Sequence, residues 1–217
     1  MITIDQSVQG KVVLAYFTME NTRCYEKLEA LWEVMLQLAV HYRQQFNSPA
    51  EANALLQPAR RLYRKIGLEP TRYRPSSEAL LRRALQGKSF YQINSIVDCG
   101  NYCSLSYLLP IGLYDLDTIS GKIVARLGKP DETYAGIGKT EQHAKGKLVL
   151  TDDNGPFGNP SADSYRTRIT LETNRILWVI YAPADYSRKE LTMHLNFSMQ
   201  QMCSYHPGKV SNWGIIE

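Results

Sequence analysis

An α+β fold in one domain is what this sequence predicts, and three observations carry the prediction. Helix-period stripes fill the chain up to about residue 109, while short apolar runs separated by Gly, Pro, Asn and Asp dominate after Gly121. No linker-like stretch, internal repeat or low-complexity segment divides the two halves. The 217 residues, 44% of them hydrophobic and 21% charged, suit one ordinary core without covalent staples. The domain is expected to run over residues 1–217.

The elements follow from periodicity. Lys11 to Phe17 is a short apolar run with the character of a buried strand. From Tyr25 to Phe46 the apolar residues Leu28, Leu31, Trp32, Met35, Ala39, Tyr42 and Phe46 fall on one stripe, which predicts a long amphipathic helix. Asn47-Ser48-Pro49 ends it. A second helix is expected from Ala50 to Ile66, with Gly67 as its stop. Ser76 and Ser77 can cap a third, Glu78 to Gln86, and Ile93 to Leu109 predicts a fourth. Strands are expected at Lys122–Leu127, Lys147–Leu150 and Arg175–Tyr181, and Ser187 caps a last helix ending near Cys203.

Several function classes drop out. No stretch approaches the roughly 18 apolar residues of a membrane span, and Met1 to Asp5 lacks the features of a secretory leader. With four scattered cysteines, a reducing cytoplasm is the expected location. Gly136-Ile137-Gly138-Lys139-Thr140 imitates the end of a phosphate loop, but the pattern needs glycine where Thr133 stands and a helix afterwards. Cys99, Cys103, Cys203 and His206 could form a zinc set on spacing; buried free thiols are the expected reading, so neither metal nor cofactor is expected. No nucleophile elbow or zinc-protease pair is present in the sequence. Chemistry here would rest on positioning and electrostatics.

Charge is uneven. The whole chain carries +4, yet the window from Arg60 to Lys88 holds nine cations against Glu69 and Glu78, or +7. Such a cluster can neutralise phosphates; it can equally be a set of solvated helix faces.

Ile93-Asn94-Ser95-Ile96-Val97-Asp98-Cys99-Gly100-Asn101-Tyr102, continuing to Leu109-Pro110-Ile111-Gly112-Leu113-Tyr114-Asp115-Leu116, resembles the editing module of the phenylalanyl-tRNA synthetase beta chain. More closely, it is similar to the free-standing proteins made of that module alone. The Tyr63–Gly67 and Tyr73–Arg83 stretches, Gly121–Arg126, Ala162–Thr167 and Thr173–Ile180 extend the likeness over about residues 10–185, leaving a C-terminal helix and tail at 186–217. The resemblance implies a compact unit of mixed sheets in layers with helices packed against them. It also implies hydrolysis of an aromatic amino acid wrongly esterified to tRNA, because a synthetic site rejects one added hydroxyl only weakly, by roughly a hundredfold.

Carried over position by position, the resemblance makes Asn101 the catalytic candidate. Asn94, Tyr102, Pro110, Gly112, Tyr114, Asp115, Asp163 and Arg166 become candidate substrate-pocket residues. Gly112 stands at the family's histidine position, as in free-standing members. Tyr181 stands near where the family's hydroxyl-reading glutamate is expected. For Asp163 and Arg166, a mutual pair near the site and the pinning of a surface loop are both open. Arg64, Lys65, Arg72, Arg74, Arg82 and Arg83 are the candidate tRNA contacts. The expected partners are tRNA and a small aromatic amino acid or its ester, not DNA or a membrane, and ligase activity is not expected. A non-catalytic amino-acid or RNA-binding module is the alternative.

Overall fold

Strand β10, Ile176–Pro183, is buried at all eight positions, and the molecule is layered around it. In the computed structural model, which describes residues 2–138 and 140–217, it pairs antiparallel with both β2 (Val12–Glu20) and β3 (Ile111–Asp115). Lys209–Ile216 adds β11 on the outer side of β2, giving a four-stranded sheet in the order β11-β2-β10-β3.

Alternation along these strands sends side chains to two different cores. Phe17, Met19, Trp178 and Ile180 face α4 (Ser95–Tyr107) and α5 (Arg188–Tyr205), where they meet Ile96, Cys99, Cys103, Leu191, Leu195 and Met202. The Phe17 and Trp178 rings, paired across β2 and β10, stack at 5.2 Å. On the opposite face Leu14, Tyr16, Leu177, Val179 and Tyr181 pack on α2 (Gln57–Lys65) and on a second sheet. That sheet runs β1 (Ile2–Ile4), β4 (Ile123–Leu127), β7 (Leu148–Asp152), β8 (Gly155–Asn159) and β9 (Ala162–Asp163). Its β1–β4 pair is parallel and the others antiparallel, so the expected layered, mixed-sheet α+β architecture is the one observed. A hairpin of β5 (Thr133–Ala135) and β6 (Glu141–His143) stands beside it. Helix α1 (Glu29–Gln45) and α3 (Ser76–Leu85) share a third core with α4 through Met35, Tyr42, Leu81, Ala84 and Leu105.

Three expectations need correction. The helix expected over Ala50–Ile66 is broken into a short 3-10 turn, Glu51–Ala54, and α2, because Pro58 sits in the first turn of α2 and cannot donate a backbone bond to a preceding turn. Ser76 and Ser77 do not cap α3: Pro75 occupies the cap position and Ser77 is buried. The tail after α5 is an edge strand, its half-exposed pattern lacking a buried strand's apolar run. The Gly136–Thr140 segment, which the sequence already sets apart from a phosphate loop, lies at the β5–β6 turn and is followed by a strand; Lys139 itself lies outside the described residues. No described helix is long and apolar enough to cross a membrane.

One charged cluster belongs to the fold. Glu78, 2% exposed, accepts hydrogen bonds from Arg60 (2.8 Å through both Nε and Nη2) and Arg82 Nε (2.9 Å), with Arg74 Nε 3.9 Å away. Burial alone would raise the Glu78 pKa, but these guanidinium bonds win and hold it below the ordinary value. Glu78→Gln strands the largely buried Arg60, and breaking such a pair costs about 3–5 kcal/mol. A urea melt at pH 7 should show a loss of that size; a change under ~0.5 kcal/mol would mean that Arg60 finds water instead.

Candidate functional site

A cavity of about 860 Å³ opens between α3, α4, β3, the β5–β6 hairpin and the β8–β9 turn. That volume lies within the range of roughly 300–1,000 Å³ typical of small-molecule sites. Its wall is mainly apolar, from Leu80, Ile93, Val97, Ile111, Leu113 and Ile169. Asn101, Asp163, Asn159 and Gln142 are among the polar groups that interrupt it, and Arg74, Arg83 and Arg168 supply positive charge.

Asn101 reaches the cavity because α4 lies tightly on β3. Gly100 makes this approach possible: a Cβ there would stand 2.5 Å from Leu113 Cδ1. Asn94 starts the helix, its side chain accepting from Val97 N at 3.0 Å, and Asp98 Oδ1 accepts from Ile93 N at 3.0 Å. Among the described residues the Asn101 amide has no hydrogen-bond partner within the chain, which leaves it available to a ligand. Tyr102 is turned by about 100° on the same helix and packs against Phe197 of α5, with ring centroids 5.9 Å apart.

Asp163 is held more elaborately. Asn159 Oδ1 accepts from Ser161 N (2.8 Å) and Ala162 N (3.0 Å), fixing the turn between β8 and β9. Asn159 Nδ2 donates to the Tyr134 hydroxyl at 2.6 Å, and that hydroxyl donates to Ala162 O at 2.7 Å. The Tyr63 and Ser161 hydroxyls lie 2.6 Å apart, joining the turn to α2. Asp163 Oδ1 is buried and unpartnered among the described residues. Burial pushes the Asp163 pKa up to about 7, although hydrogen bonding from the Tyr114 hydroxyl and the Leu113 backbone opposes the rise. A carboxyl with that value exchanges its proton near neutrality.

Tyr114 and Tyr181 lie beneath this carboxyl, not in the cavity wall. Both are fully buried, and their hydroxyls are 2.8 Å apart. Desolvation drives both phenol pKa values well upward. Gly112 is the space this arrangement needs: a Cβ at Gly112 would come within 2.2 Å of the Tyr114 hydroxyl, and one at Gly158 within 2.3 Å.

The other sequence candidates are placed elsewhere. Pro110 leads into β3, its carbonyl accepting from Tyr181 N at 3.0 Å. Asp115 closes the next turn, accepting from Asp117 N at 3.1 Å and Thr173 Oγ1 at 2.7 Å. Arg166 does not pair with Asp163; it grips Asp152 through two 2.9 Å bonds and donates to Thr118 O, pinning a loop. Of the cation candidates only Arg74 and Arg83 line the cavity. Arg82 is committed to Glu78, Lys65 stands 3.4 Å from Asp185, Arg72 lies over the Tyr73 ring, and Arg64 is exposed on α2. The +7 window is therefore partly a structural ion-pair network.

Every serine on the cavity wall is engaged: Ser104 Oγ donates to Leu109 O, Ser76 Oγ to Pro160 O, and Ser161 meets Tyr63. Cys99 and Cys103 are buried in the α4–sheet core, Cys203 is exposed, and His206 Nε2 lies 2.9 Å from Ser95 Oγ, so these four residues form no metal-binding group among the described residues. Sequence reasoning missed Asn159 and Tyr134, whose work is done by tertiary contacts, and Tyr91, an exposed aromatic beside the predicted helix. Nothing local in Asn159-Pro160-Ser161 announces that this turn aims a carboxyl.

Residues 58–203 match the B3/4 domain, and the chain belongs to that family. Its relatives include the phenylalanine–tRNA ligase beta subunit of Paramagnetospirillum magneticum, 31% identical over 110 residues that make up 50% of this chain and 13% of that protein. The corresponding subunit of Psychrobacter arcticus is 34% identical over 102 residues, 46% of this chain and 12% of that one. The chain thus matches about an eighth of these relatives' length. An N-terminal fragment of the Pyrococcus horikoshii phenylalanyl-tRNA synthetase beta subunit shares the fold with a TM-score of 0.51 at 16% identity, covering 97% of this chain and 50% of that one.

Proposed function

We propose that the cavity receives the aminoacyl group at the 3′ end of a tRNA and hydrolyses its ester in trans, with an aromatic side chain as the preferred acyl body. The observation that carries this reading is Asp163: a carboxyl with a buried oxygen unpartnered among the described residues and a pKa near neutrality, at a mainly apolar cavity that Asn101 also lines. Relationship to tRNA ligase beta subunits supports the choice of RNA-linked substrate.

In this mechanism the apolar wall takes the aromatic ring, and the ester carbonyl lies toward Asn101. A water molecule is the nucleophile, since the wall serines are tied to the fold. Ionised Asp163 accepts its proton as oxygen attacks the carbonyl carbon, and the Asn101 N–H stabilises the developing oxyanion. Collapse breaks the ester bond, and the proton passes from Asp163 to the departing ribose oxygen. The products are the free amino acid and the uncharged tRNA. Arg74, half exposed at the cavity, supplies positive charge for the RNA backbone.

The test is release of amino acid from tRNAs charged with phenylalanine, tyrosine and aliphatic residues. Acceleration over the buffer rate, greatest for an aromatic residue, is the expected outcome. Unchanged rates with tight retention of a non-hydrolysable amide analogue would replace hydrolysis with the non-catalytic binding reading.

A further inference from the structure

Resting on that reading, we propose that the cavity mouth is a subsite for the unpaired nucleotide that carries the acyl group, with Tyr91 as the stacking platform for its base and Arg83 and Arg168 as the groups that meet its phosphate. Tyr91 is 68% exposed although it borders an apolar cavity, and Ile93 and Ile137 on the same opening are 56% and 58% exposed. Large apolar side chains gathered around one opening mark a surface that a ligand covers.

The chemistry of the ligand follows from what lies behind the ring. The Arg83 guanidinium stands 4.3 Å from the Tyr91 ring centroid and is fixed by donating through Nε (3.0 Å) and Nη2 (2.5 Å) to Ser89 O. One face of Tyr91 thus carries a cation, while the residue's large exposure leaves surface for another planar group. Arg168 is held similarly: its guanidinium lies 3.6 Å from the Tyr165 centroid and donates to Tyr165 O at 2.6 Å. Neither arginine forms a carboxylate ion pair among the described residues, in contrast to Arg60, Arg82 and Arg166. Fixed guanidinium groups outside any close ion pair, Arg83 against the Tyr91 ring and Arg168 on the same cavity with exposed Glu172 as a more distant opposite charge, match a nucleobase and its phosphate, the combination by which single-stranded RNA ends are held.

The experiment compares two non-hydrolysable probes by calorimetry: phenylalanine methylamide, and phenylalanine amide-linked to the 3′ position of a cytidylyl-adenosine dinucleotide. Tyr91→Ala should weaken the dinucleotide probe by about tenfold or more, the size of one lost base stack, and leave the methylamide unchanged. Tyr91→Phe should restore affinity, and Arg83→Gln should reduce the salt dependence of dinucleotide binding alone. Equal loss for both probes under Tyr91→Ala, or no loss for either, overturns the subsite while leaving the acyl cavity standing. Failure of wild type to bind either probe overturns the cavity reading as well. Thermal melts of the variants, expected to match wild type because Tyr91 is exposed, separate binding from folding.

Discussion

Asp163→Asn is expected to lower deacylation by about a hundredfold or more, the lower end of what a positioned general base contributes. The same substitution should remove the inflection near pH 7 that wild type shows, because the Asp163 pKa of about 7 governs the active form. Stability should move in the opposite direction. The folded-state pKa lies above the ordinary 3.8, so between those values the folded chain keeps a proton that the unfolded chain has released. Stability therefore falls as pH rises through that window, and the full penalty, about 4 kcal/mol at most for a shift of this size, applies above pH 7. Asp163→Asn should consequently melt higher than wild type at pH 8.5, and the gap should close by pH 4. A variant that is inactive yet no more stable at pH 8.5 would mean that the carboxyl is solvated and not desolvated as its position implies.

The second large effect concerns Gly112. Its Cβ would meet the Tyr114 ring and hydroxyl at 2.2 to 2.8 Å, and that ring is buried and bonded to Tyr181. Unlike the end of a flexible chain, it cannot swing aside. Overpacking of this kind costs typically about 1–3 kcal/mol, and Gly112→Ala should fall at the top of that range in chemical denaturation. Gly112→His should leave little folded protein. Replacing Tyr114 with leucine in the Gly112→Ala background should recover part of the loss, giving a coupling of at least ~1 kcal/mol between the two positions. Strict additivity would show that the β3 backbone shifts to make room. The physical consequence is specific: a histidine and the buried tyrosine pair compete for one volume, and this chain has taken the tyrosines.

The elements legible in the sequence are those whose burial is one-sided or complete. The stripe of α1, the apolar run of β10 and the Ser187 cap of α5, which accepts from Glu190 N at 3.3 Å, all announce themselves locally. The exposed edge strand β11 does not, because pairing with β2 is what orders it. The break before α2 was written in Pro58 but masked by a continuous apolar stripe.

In the site, Asn101, Asp163, Arg74 and Arg83 come together as candidates that the sequence already offered. Tyr181, a pocket candidate because it stands near the expected place of the family's glutamate, lies too deep, and the carboxyl at the cavity, with one oxygen unpartnered among the described residues, comes from Asp163 across the sheet interface. Arg82 looks like an RNA contact in one dimension, yet it turns inward to Glu78 together with Arg60 of the same basic window. Sequence shows which charges exist; only packing shows which of them are already neutralised.

The most direct measurement is a crystal structure of the chain soaked with 3′-deoxy-3′-(phenylalanylamino)adenosine, which cannot be hydrolysed. The aromatic ring should lie among Leu80, Ile93 and Leu113, with the amide carbonyl within hydrogen-bond distance of Asn101 and the reacting carbon facing Asp163. Density for the ligand elsewhere on the surface, or a cavity still empty at millimolar ligand, would contradict the account.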